Sequence, residues 1–419
     1  MRFPKPNNIV AEKYVAGMSL FKSKLAKIKL SANESALGPS PKARKQYLEV
    51  SKNFARYPDS DGTFLRNTLA KKFKIDKNRI ILGSGSDQIF ELICKSFLKK
   101  GDEVIVPCKS YQSSASSIVT SGGTPIFCDI DFNSQNIDTN DLLRKISKKT
   151  KAIICVHIGG WPCDMNKIVK IVNKKKLILI EDCSQAHGAK INNKFVGSFG
   201  DMAIWSFCND KIISTGGEGG MISVKKKKLW KKIWAYKEIG KNFDKVKKNL
   251  KNTSSGFNWV HDTFGTNLRM TEMQAALGIH QLKKLNKTIS KRININNLIW
   301  KKLKNHKVVS IPVVPKNFYL APYRCYIKLN FQNIKKKYNL KKIIRLLNSR
   351  EKICNEGSCS EMYLENSFKN SNFSLNKRLE TASRLSAVSL AFFINPFSTN
   401  SELSKKMNNI IKVFNQISV

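Results

Sequence analysis

Short apolar runs alternate with stretches of helical spacing between about residue 60 and residue 225. The apolar runs predict strands at 79–82, 103–107, 124–128, 152–156, 177–180, 202–207 and 221–224. Segments 64–73 and 87–98 read as helices, and helical spacing also separates most of the later strands. Strands that alternate with helices predict an α/β fold with a mainly parallel sheet and right-handed crossovers.

The rest of the chain suggests an arm and a second, smaller domain. Few apolar residues recur at helical spacing in 1–40, so we expect this arm to lie across another part of the molecule. A long helical stretch from 270 to about 303 leads into a portion with a few more strands and helices. The expected division is an arm at 1–40, a large domain at 41–290 and a small C-terminal domain at 291–419.

The charge of the chain is extreme, with 75 basic and 30 acidic residues among 419 and a formal net charge of +45. One interpretation is a non-catalytic protein that binds polyanions such as nucleic acids. We favour lysines dispersed over solvated helix faces, because they occur in short runs throughout without interleaved aromatic residues. We therefore expect no nucleic-acid partner, although the charge can steer anionic substrates toward the protein.

The cysteines and the apolar runs indicate in which cellular compartment the protein acts. The ten cysteines form no CxxC pair, and several lie inside strand-like apolar runs, which is typical of buried thiols in a reduced compartment. No metal site is expected. The first residues lack an apolar signal core and no apolar run reaches about 18 residues, so we expect a cytoplasmic protein without a membrane partner.

The segment 177–220 carries the clearest chemistry. Asp182 follows the apolar run 177–180, and Lys211 lies just after the run 202–207 and before a glycine-rich string. Pyridoxal phosphate (PLP) needs a lysine that forms a Schiff base with its aldehyde and a carboxylate that keeps its pyridine nitrogen protonated. Each residue taken alone has a plain structural interpretation, Asp182 as a helix cap and Lys211 as one of very many lysines.

Two further features follow predicted strands. Gly83-Ser84-Gly85-Ser86-Asp87 lies between a strand and a helix, where free backbone N–H groups can bind a phosphate. Tyr111 follows the strand at 103–107 and could stack on a flat ring, or be only a half-buried tyrosine. Ligands bind at the carboxyl ends of strands in such sheets, so the joint occurrence of these features indicates a cofactor site.

From about residue 135 to its end, the chain resembles the DegT-type sugar aminotransferases. Matching segments are Val156-His157-Ile158-Gly159-Gly160-Trp161-Pro162-Cys163-Asp164-Met165, Ile180-Glu181-Asp182-Cys183-Ser184-Gln185-Ala186-His187-Gly188-Ala189, Gly197-Ser198-Phe199-Gly200-Asp201 and Gly265-Thr266-Asn267-Leu268-Arg269-Met270. The resemblance implies fold type I, the aspartate-aminotransferase-like fold of PLP enzymes.

The first 110 residues resemble histidinol-phosphate aminotransferase instead. The matching segments are Ser31-Ala32-Asn33-Glu34-Ser35-Ala36-Leu37-Gly38-Pro39-Ser40, Arg56-Tyr57-Pro58-Asp59, Gly83-Ser84-Gly85-Ser86-Asp87 and Gly101-Asp102-Glu103-Val104-Ile105. The two families share a fold, so such a mosaic is structurally consistent.

The resemblance to the sugar enzymes implies roles for individual residues. Lys211 forms the internal aldimine and moves the proton, while Asp182 pairs with the pyridinium nitrogen. The other expected cofactor contacts are Gln185 on the phenolic oxygen side, Tyr111 stacked on the ring, and Ser206 with the backbone of Ser86 and Asp87 at the phosphate. Residues matching Asn267 and Arg269 enter the neighbouring subunit's site, which implies a homodimer with shared active sites. In the histidinol-phosphate family, the residue matching Tyr57 reaches the partner's phosphate as well.

The expected function is a PLP-dependent aminotransferase that moves an amino group, from glutamate in most of the family, to a nucleotide-linked keto-sugar. The alternative acceptor is imidazole-acetol phosphate. Some DegT-type relatives are dehydratases with histidine in place of the lysine, and Lys211 argues against that class.

Overall fold

The computed structural model describes residues 40–419 apart from 54, 56, 58 and 250–257, together with the backbone of Leu20–Phe21 (β1) and Lys24–Leu25 (β2). Residues 31–39, which carry most of the segment resembling the histidinol-phosphate enzyme's arm, lie outside the described residues.

The helices of the described residues include every one that the sequence pattern predicts. In chain order they are α1 Pro41–Ser51, α2 Thr63–Phe73, α3 Ser86–Phe97, α4 Ser113–Thr120, α5 Thr139–Lys145, α6 Met165–Lys175, α7 Lys227–Lys237, α8 Phe243–Asn249, α9 Glu272–Leu303, α10 Leu340–Glu351, α11 Asn366–Lys369, α12 Glu380–Val388 and α13 Asn400–Ile417.

The strands after β2 fall into a central sheet and two smaller ones. They are β3 Ile80–Gly83, β4 Glu103–Pro107, β5 Thr124–Cys128, β6 Thr150–Val156, β7 Ile178–Asp182, β8 Lys190–Ile191, β9 Lys194–Phe195, β10 Met202–Ser206, β11 Gly220–Val224, β12 Val309–Ser310, β13 Phe318–Tyr319, β14 Arg324–Leu329, β15 Cys354–Asn355 and β16 Ser389–Phe393.

The central sheet has seven strands in the order β3-β11-β10-β7-β6-β4-β5. Only β11 runs antiparallel to its neighbours, so the prediction of a mainly parallel sheet is confirmed. Helices cover both faces, which is why strands such as β10 are buried along their whole length and appear in the sequence as continuous apolar runs.

A second sheet is antiparallel throughout, in the order β12-β14-β16-β15. Helix α9 joins the two sheets: Leu282 and Leu285 pack beside the central sheet, whereas Ile299 and Leu303 belong to the core of the second. The expected domain boundary at residue 290 falls within this continuous helix, and the division at 40 and 290 stays a prediction.

The thiols and the helices agree with two expectations drawn from composition. All ten cysteines are free; eight are buried, Cys208 is partly exposed and Cys359 is exposed. Among the helices that the structure describes, none combines the length and the apolar character that crossing a bilayer requires.

Candidate active site

The candidate site lies at the edge of the central sheet where β3, β11, β10 and β7 meet. Strand register places Ser206 of β10 opposite Gly220 of β11, and Gly220 opposite Gly83 of β3. A Cβ on Gly220 would lie 2.8 Å from the carbonyl carbon of Gly85 and 2.9 Å from the nitrogen of Ser86. Glycine is therefore required at 220 for the turn before α3 to lie against the sheet.

This turn presents a helix N-terminus toward the sheet edge. Ser86 is the first residue of α3, and Asp87 lies in its first turn. The first N–H groups of a helix have no partner within it, so they can bind an anion such as a phosphate. Ser206 Oγ is buried beside the turn and accepts one hydrogen bond, from the N–H of Cys208 at 3.3 Å. The structure brings these residues together, and their role as a phosphate site stays a prediction.

Asp182 ends β7 and is almost fully buried. One carboxylate oxygen accepts the N–H of Ser184 at 2.9 Å, and Asp182 makes no ion pair with any residue that the structure describes. Burial raises the pKa of Asp182, while Ser184 and the nearby charges of His157 and Lys211 partly offset this effect. A cation bound against this carboxylate would stabilise its ionised form.

Lys211 lies in the loop that follows β10, and its side chain is largely buried. Its Nζ donates to Asp210 Oδ1 at 2.7 Å, and Asp210 also accepts a hydrogen bond from the hydroxyl of Tyr323. Burial alone would lower the pKa of Lys211, but the Tyr323 hydroxyl and the Asp210 carboxylate raise it above its ordinary value. The lysine is thus held as an ammonium group at the sheet edge.

Gln185 lies between the two sheets rather than free in a cleft. Its Oε1 accepts the N–H of Gly159 at 2.8 Å, and its Nε2 donates to Ser358 Oγ at 3.3 Å. The ammonium of fully buried Lys109 donates to the carbonyl of Ser358 and to the hydroxyl of Ser360, each at 3.2 Å. The loop that carries Ser358 therefore forms a fixed wall beside Gln185.

Tyr111, the residue predicted to stack on the cofactor ring, follows β4 and is 64% exposed.

Arg269 and Tyr57 lie together in the structure. The guanidinium of Arg269 pairs with buried Glu238 through two N–H groups, and its Nη1 donates to the hydroxyl of Tyr57 at 3.1 Å. The carbonyl of Arg269 accepts the hydroxyl of Ser84, in the turn before α3, at 2.9 Å. Asn267 is exposed and pairs through its backbone with Glu238. The two residues expected from different families to reach a partner's phosphate are thus neighbours within one chain.

One buried group of side chains has the composition of a metal site. Ligand atoms of His157, Glu181 and Cys183 lie within 4.8 Å of one another. However, Glu181 is occupied: besides His157, it accepts backbone N–H groups from Gly197, Phe199 and Gly200. The cluster therefore holds the turn at 197–200 against β7, and we assign it a structural role.

The sequence interpretation missed three groups at this edge: Asp210, Tyr323 and Ser358. Asp210 adjoins Lys211, so its carboxylate was visible as a neighbour in the sequence. Tyr323 and Ser358 lie 113 and 173 residues from the side chains that they contact. Neither carries a local signal, because its position depends on how the second sheet packs.

The residues of this edge fit PLP. The room left by Gly220, the helix N-terminus and buried Ser206 suit a phosphate. The carboxylate of Asp182, which has no ion-pair partner among the described residues, suits a protonated ring nitrogen. A lysine and a carboxylate at the carboxyl edge of this sheet define the class of fold type I PLP-dependent enzymes.

Comparison with known proteins narrows the class to a family. Residues 63–405 match the DegT/DnrJ/EryC1/StrS aminotransferase family, and the chain belongs to this family. Membership confirms PLP as the expected cofactor. The match begins upstream of residue 135, where we expected the resemblance to start. It includes the turn at 83–87, and the histidinol-phosphate resemblance of the first 110 residues is not shown.

Three individual proteins illustrate the relationship. An aminotransferase from Psychrobacter cryohalolentis has a structure with a TM-score of 0.85 and 33% identity, covering 90% of this chain and 98% of that one. GDP-perosamine synthase of Escherichia coli O157:H7 is 38% identical over 206 residues, 49% of this chain and 53% of the relative. A dTDP-3-amino-3,6-dideoxy-alpha-D-galactopyranose transaminase of Aneurinibacillus thermoaerophilus is 34% identical over 56% of this chain and 60% of the relative. The matches to these two curated relatives thus span little more than half of their lengths.

Proposed function

We propose that this protein is a PLP-dependent aminotransferase that moves an amino group, with glutamate as donor, to the keto group of a nucleotide-linked sugar. The observation that carries the proposal is the pair of Lys211 and Asp182 at the sheet edge, beside the turn before α3. The enzymes named above, which concern a GDP-linked and a dTDP-linked amino sugar, support the class of acceptor.

The roles of the site residues follow from their surroundings. When bound, PLP supplies an aldehyde for an amine and a ring that accepts electrons. The carboxylate of Asp182 holds a proton on the ring nitrogen, because a buried negative charge favours the charged form of its partner. The N–H groups of Ser86 and Asp87 and the hydroxyl of Ser206 bind the phosphate. The Nζ of Lys211 gives and takes the proton at the reacting carbon of the substrate.

The remaining residues orient the cofactor and the substrate. Gln185, fixed by Gly159 and Ser358, faces the phenolic oxygen side of the ring, and Tyr111 covers a ring face. Asp210 and Tyr323 hold the ammonium of Lys211 in place until the amine is deprotonated. Since a neutral amine is the nucleophile, we expect the cofactor to attach faster as the pH rises.

The acceptor is tested with a substrate panel. The protein, loaded with PLP and supplied with glutamate, is offered GDP-, dTDP- and UDP-linked keto-sugars beside imidazole-acetol phosphate, and 2-oxoglutarate release is measured. We expect turnover of one or more nucleotide keto-sugars. Turnover of the imidazole substrate alone would select the alternative acceptor and leave the assignment of PLP intact. Absence of any half-reaction with glutamate would contradict the donor.

The alternative acceptor rests on the segment resembling the histidinol-phosphate enzyme. Its most specific part in the described residues is Tyr57, whose hydroxyl accepts from Arg269. This contact joins the phosphate-reaching residues of both families, so Tyr57 does not by itself favour the imidazole substrate. We retain the sugar as the preferred acceptor, because the family of the chain is that of the sugar enzymes.

We also propose a homodimer with shared active sites. Large aromatic side chains are exposed near Arg269: Tyr57 at 81%, Trp259 at 81% and Phe264 at 99%. Aromatic surface of this kind is typical of interfaces. In this arrangement Asn267 and Arg269 enter the partner's site, and the protein acts in the cytoplasm without a nucleic-acid or membrane partner.

Mixing inactive variants tests the shared site. Lys211→Ala protein is combined with Asn267→Ala protein, and subunit exchange is followed with differently tagged chains. Mixed dimers contain one site with neither change, so we expect activity to reappear. Asn267 is the better choice for this experiment because Arg269 also pairs with Glu238 of its own chain. No recovery despite demonstrated exchange would mean that Asn267 serves its own site.

A further inference from the structure

A cavity lies on the face of the central sheet opposite Ser206. It is lined by residues of β10 and β11, of helices α2 and α9, and of the hairpin β8–β9; it is partly open at the surface, and its volume is about 260 Å³. Trp205 and Phe207 line it, whereas Ser206 between them does not, as the alternation of side chains along a strand requires. We call it the back cavity. It is separate from the candidate active site.

The size of the back cavity suits a small ring compound. An engineered cavity of about 150 Å³ lined by apolar side chains stays dry and binds benzene. The back cavity is larger, and its walls are mostly apolar, including Leu69, Phe73, Leu282 and Leu285. A benzene ring with one or two substituents would therefore fit.

Two buried polar groups on its wall lack partners. His187 is 3% exposed, and neither ring nitrogen makes a hydrogen bond of normal geometry with any residue that the structure describes. The Nε1 of Trp205 likewise has no acceptor among the described residues, and the two rings lie 5.4 Å apart. Buried polar groups are nearly always hydrogen-bonded, and leaving them unpaired is costly.

The protonation of His187 restricts the chemistry of a ligand. Burial, with the nearby charge of Lys211, lowers the pKa of His187 to about 3, while the Ser206 carbonyl acts weakly in the opposite direction. The ring is therefore neutral, with one donor and one acceptor nitrogen. Trp205 adds a donor. A hydroxyl group satisfies this pair, because it accepts from Trp205 and donates to His187. An anion could only accept, and a cation would lie near the charges of Lys211 and Arg292.

We propose that the back cavity is a second ligand site, which takes a small, uncharged aromatic molecule with a hydroxyl group. The ring fills the apolar part between α2 and α9, and the hydroxyl lies between Trp205 and His187. The proposal does not depend on the reaction at the sheet edge, so failure of the proposed aminotransferase activity would leave it untouched.

The test compares two probes that differ in one hydroxyl group, p-cresol and toluene. Each is titrated into the full-length protein loaded with PLP, and binding is followed by ligand-observed NMR. We expect saturable binding of both, with p-cresol about 3- to 10-fold tighter, as one added hydrogen bond allows. Trp205→Phe keeps an aromatic ring but removes the donor, so it should weaken p-cresol by that factor and leave toluene nearly unchanged.

A second pair of variants tests the location. Leu285→Phe fills the back cavity from α9 and should abolish binding of both probes. Ile279→Phe makes a similar change on the same helix, at a residue that does not line the cavity, and should leave binding intact. Thermal melting confirms that each variant folds. No saturable binding, or binding that survives Leu285→Phe, would overturn the proposal. So would a crystal structure in which protein residues, from 1–39 or from a second copy, fill the cavity.

Discussion

The candidate site has a floor and a wall that differ in origin. The floor consists of Asp182, Ser206, Lys211 and the turn at 83–86, all from the central sheet. The wall consists of Tyr323 and Ser358, from the portion of the chain that follows α9. Floor residues each lie within a few positions of a strand end, whereas wall residues reach the site only through packing of the second sheet.

The difference separates two properties of the protein. In the proposed function, the floor binds the cofactor and determines the type of reaction, and each of its groups follows a strand in the sequence. In the same proposal, the wall faces the substrate and Tyr323 steadies Lys211 through Asp210, so we expect wall residues to influence which substrate enters. Variants of the floor should therefore abolish chemistry, and variants of the wall should change its rate, its pH dependence or its substrate.

The largest effect is expected from Lys211→Ala. Without the amine no covalent attachment to PLP is possible, so the visible absorption band and the borohydride-stable adduct at residue 211 should both disappear, together with transamination. Absorption spectra and peptide mass spectrometry check this. Lys109→Ala removes a fully buried lysine from outside the floor and should keep the adduct. Transamination by Lys211→Ala at the wild-type rate would refute the assignment of the floor.

Asp182→Asn should have the next largest effect. The amide keeps the shape and the hydrogen bond to Ser184 but loses the charge, so PLP should still bind while the proton-transfer step slows on the order of 10²-fold or more. Single-turnover kinetics measure this step. Asp201→Asn is the control, because Asp201 bonds the other end of β7, through the N–H of Leu179. Equal single-turnover rates for wild type and Asp182→Asn would exclude the proposed role.

Tyr323→Phe tests the wall. Loss of the hydroxyl removes one hydrogen bond to Asp210, and we expect turnover to fall about 3- to 10-fold. The Lys211 charge and the Tyr323 hydroxyl help to lower the pKa of Asp210 against the opposing effect of burial. In the variant this pKa rises, so the Lys211–Asp210 pair is lost at a higher pH. The acid limb of the pH profile of kcat/KM should therefore shift to higher pH.

The control for this variant lies three residues further along the chain, in β14. Tyr326→Phe removes a hydroxyl that accepts the N–H of Ser358 and does not contact Asp210. It should leave the acid limb in place. An identical shift in both variants would mean that the limb reports general loosening of the second sheet.

The last prediction concerns the stability of the protein, and not its activity. His187 is neutral when folded, with a pKa of about 3, and takes up a proton on unfolding below its ordinary value of 6.5. The contribution of His187 to the free energy of unfolding is thus retained above pH 6.5. Below this pH it is lost by about 1.4 kcal/mol per pH unit. His187→Phe should flatten the decline of unfolding free energy between pH 6.5 and 5. Urea titrations at several pH values measure it, and an unchanged slope would contradict the buried neutral state.

The sequence predicts the central sheet well because its strands are buried on both faces. The bounds predicted for β4 and β5 agree with the structure, at 103–107 and 124–128. The long helix begins two residues later than predicted, at Glu272, because Thr271 and Gln274 form a capping box there. The floor residues could be located from the sequence because each of them follows a strand that the apolar pattern predicts.

The rest of the site depends on distant contacts. Tyr323 and Ser358 have no pattern of their own, and the pairing of Tyr57 with Arg269 joins residues 212 positions apart. His187 lies inside a recognised segment, yet only the structure reveals that its ring lines a cavity without partners.

The length of helix α9 also fixes how the second sheet is oriented relative to the central sheet. Gln274, in the first turn of α9, donates to the carbonyl of Glu218 in the glycine-rich string, and the helix ends in the core of the second sheet. Each residue added within the helix would turn everything beyond it by about 100° and advance it by about 1.5 Å. The wall would then face away from Lys211. The length of α9 is therefore as much a part of the site as any side chain in it.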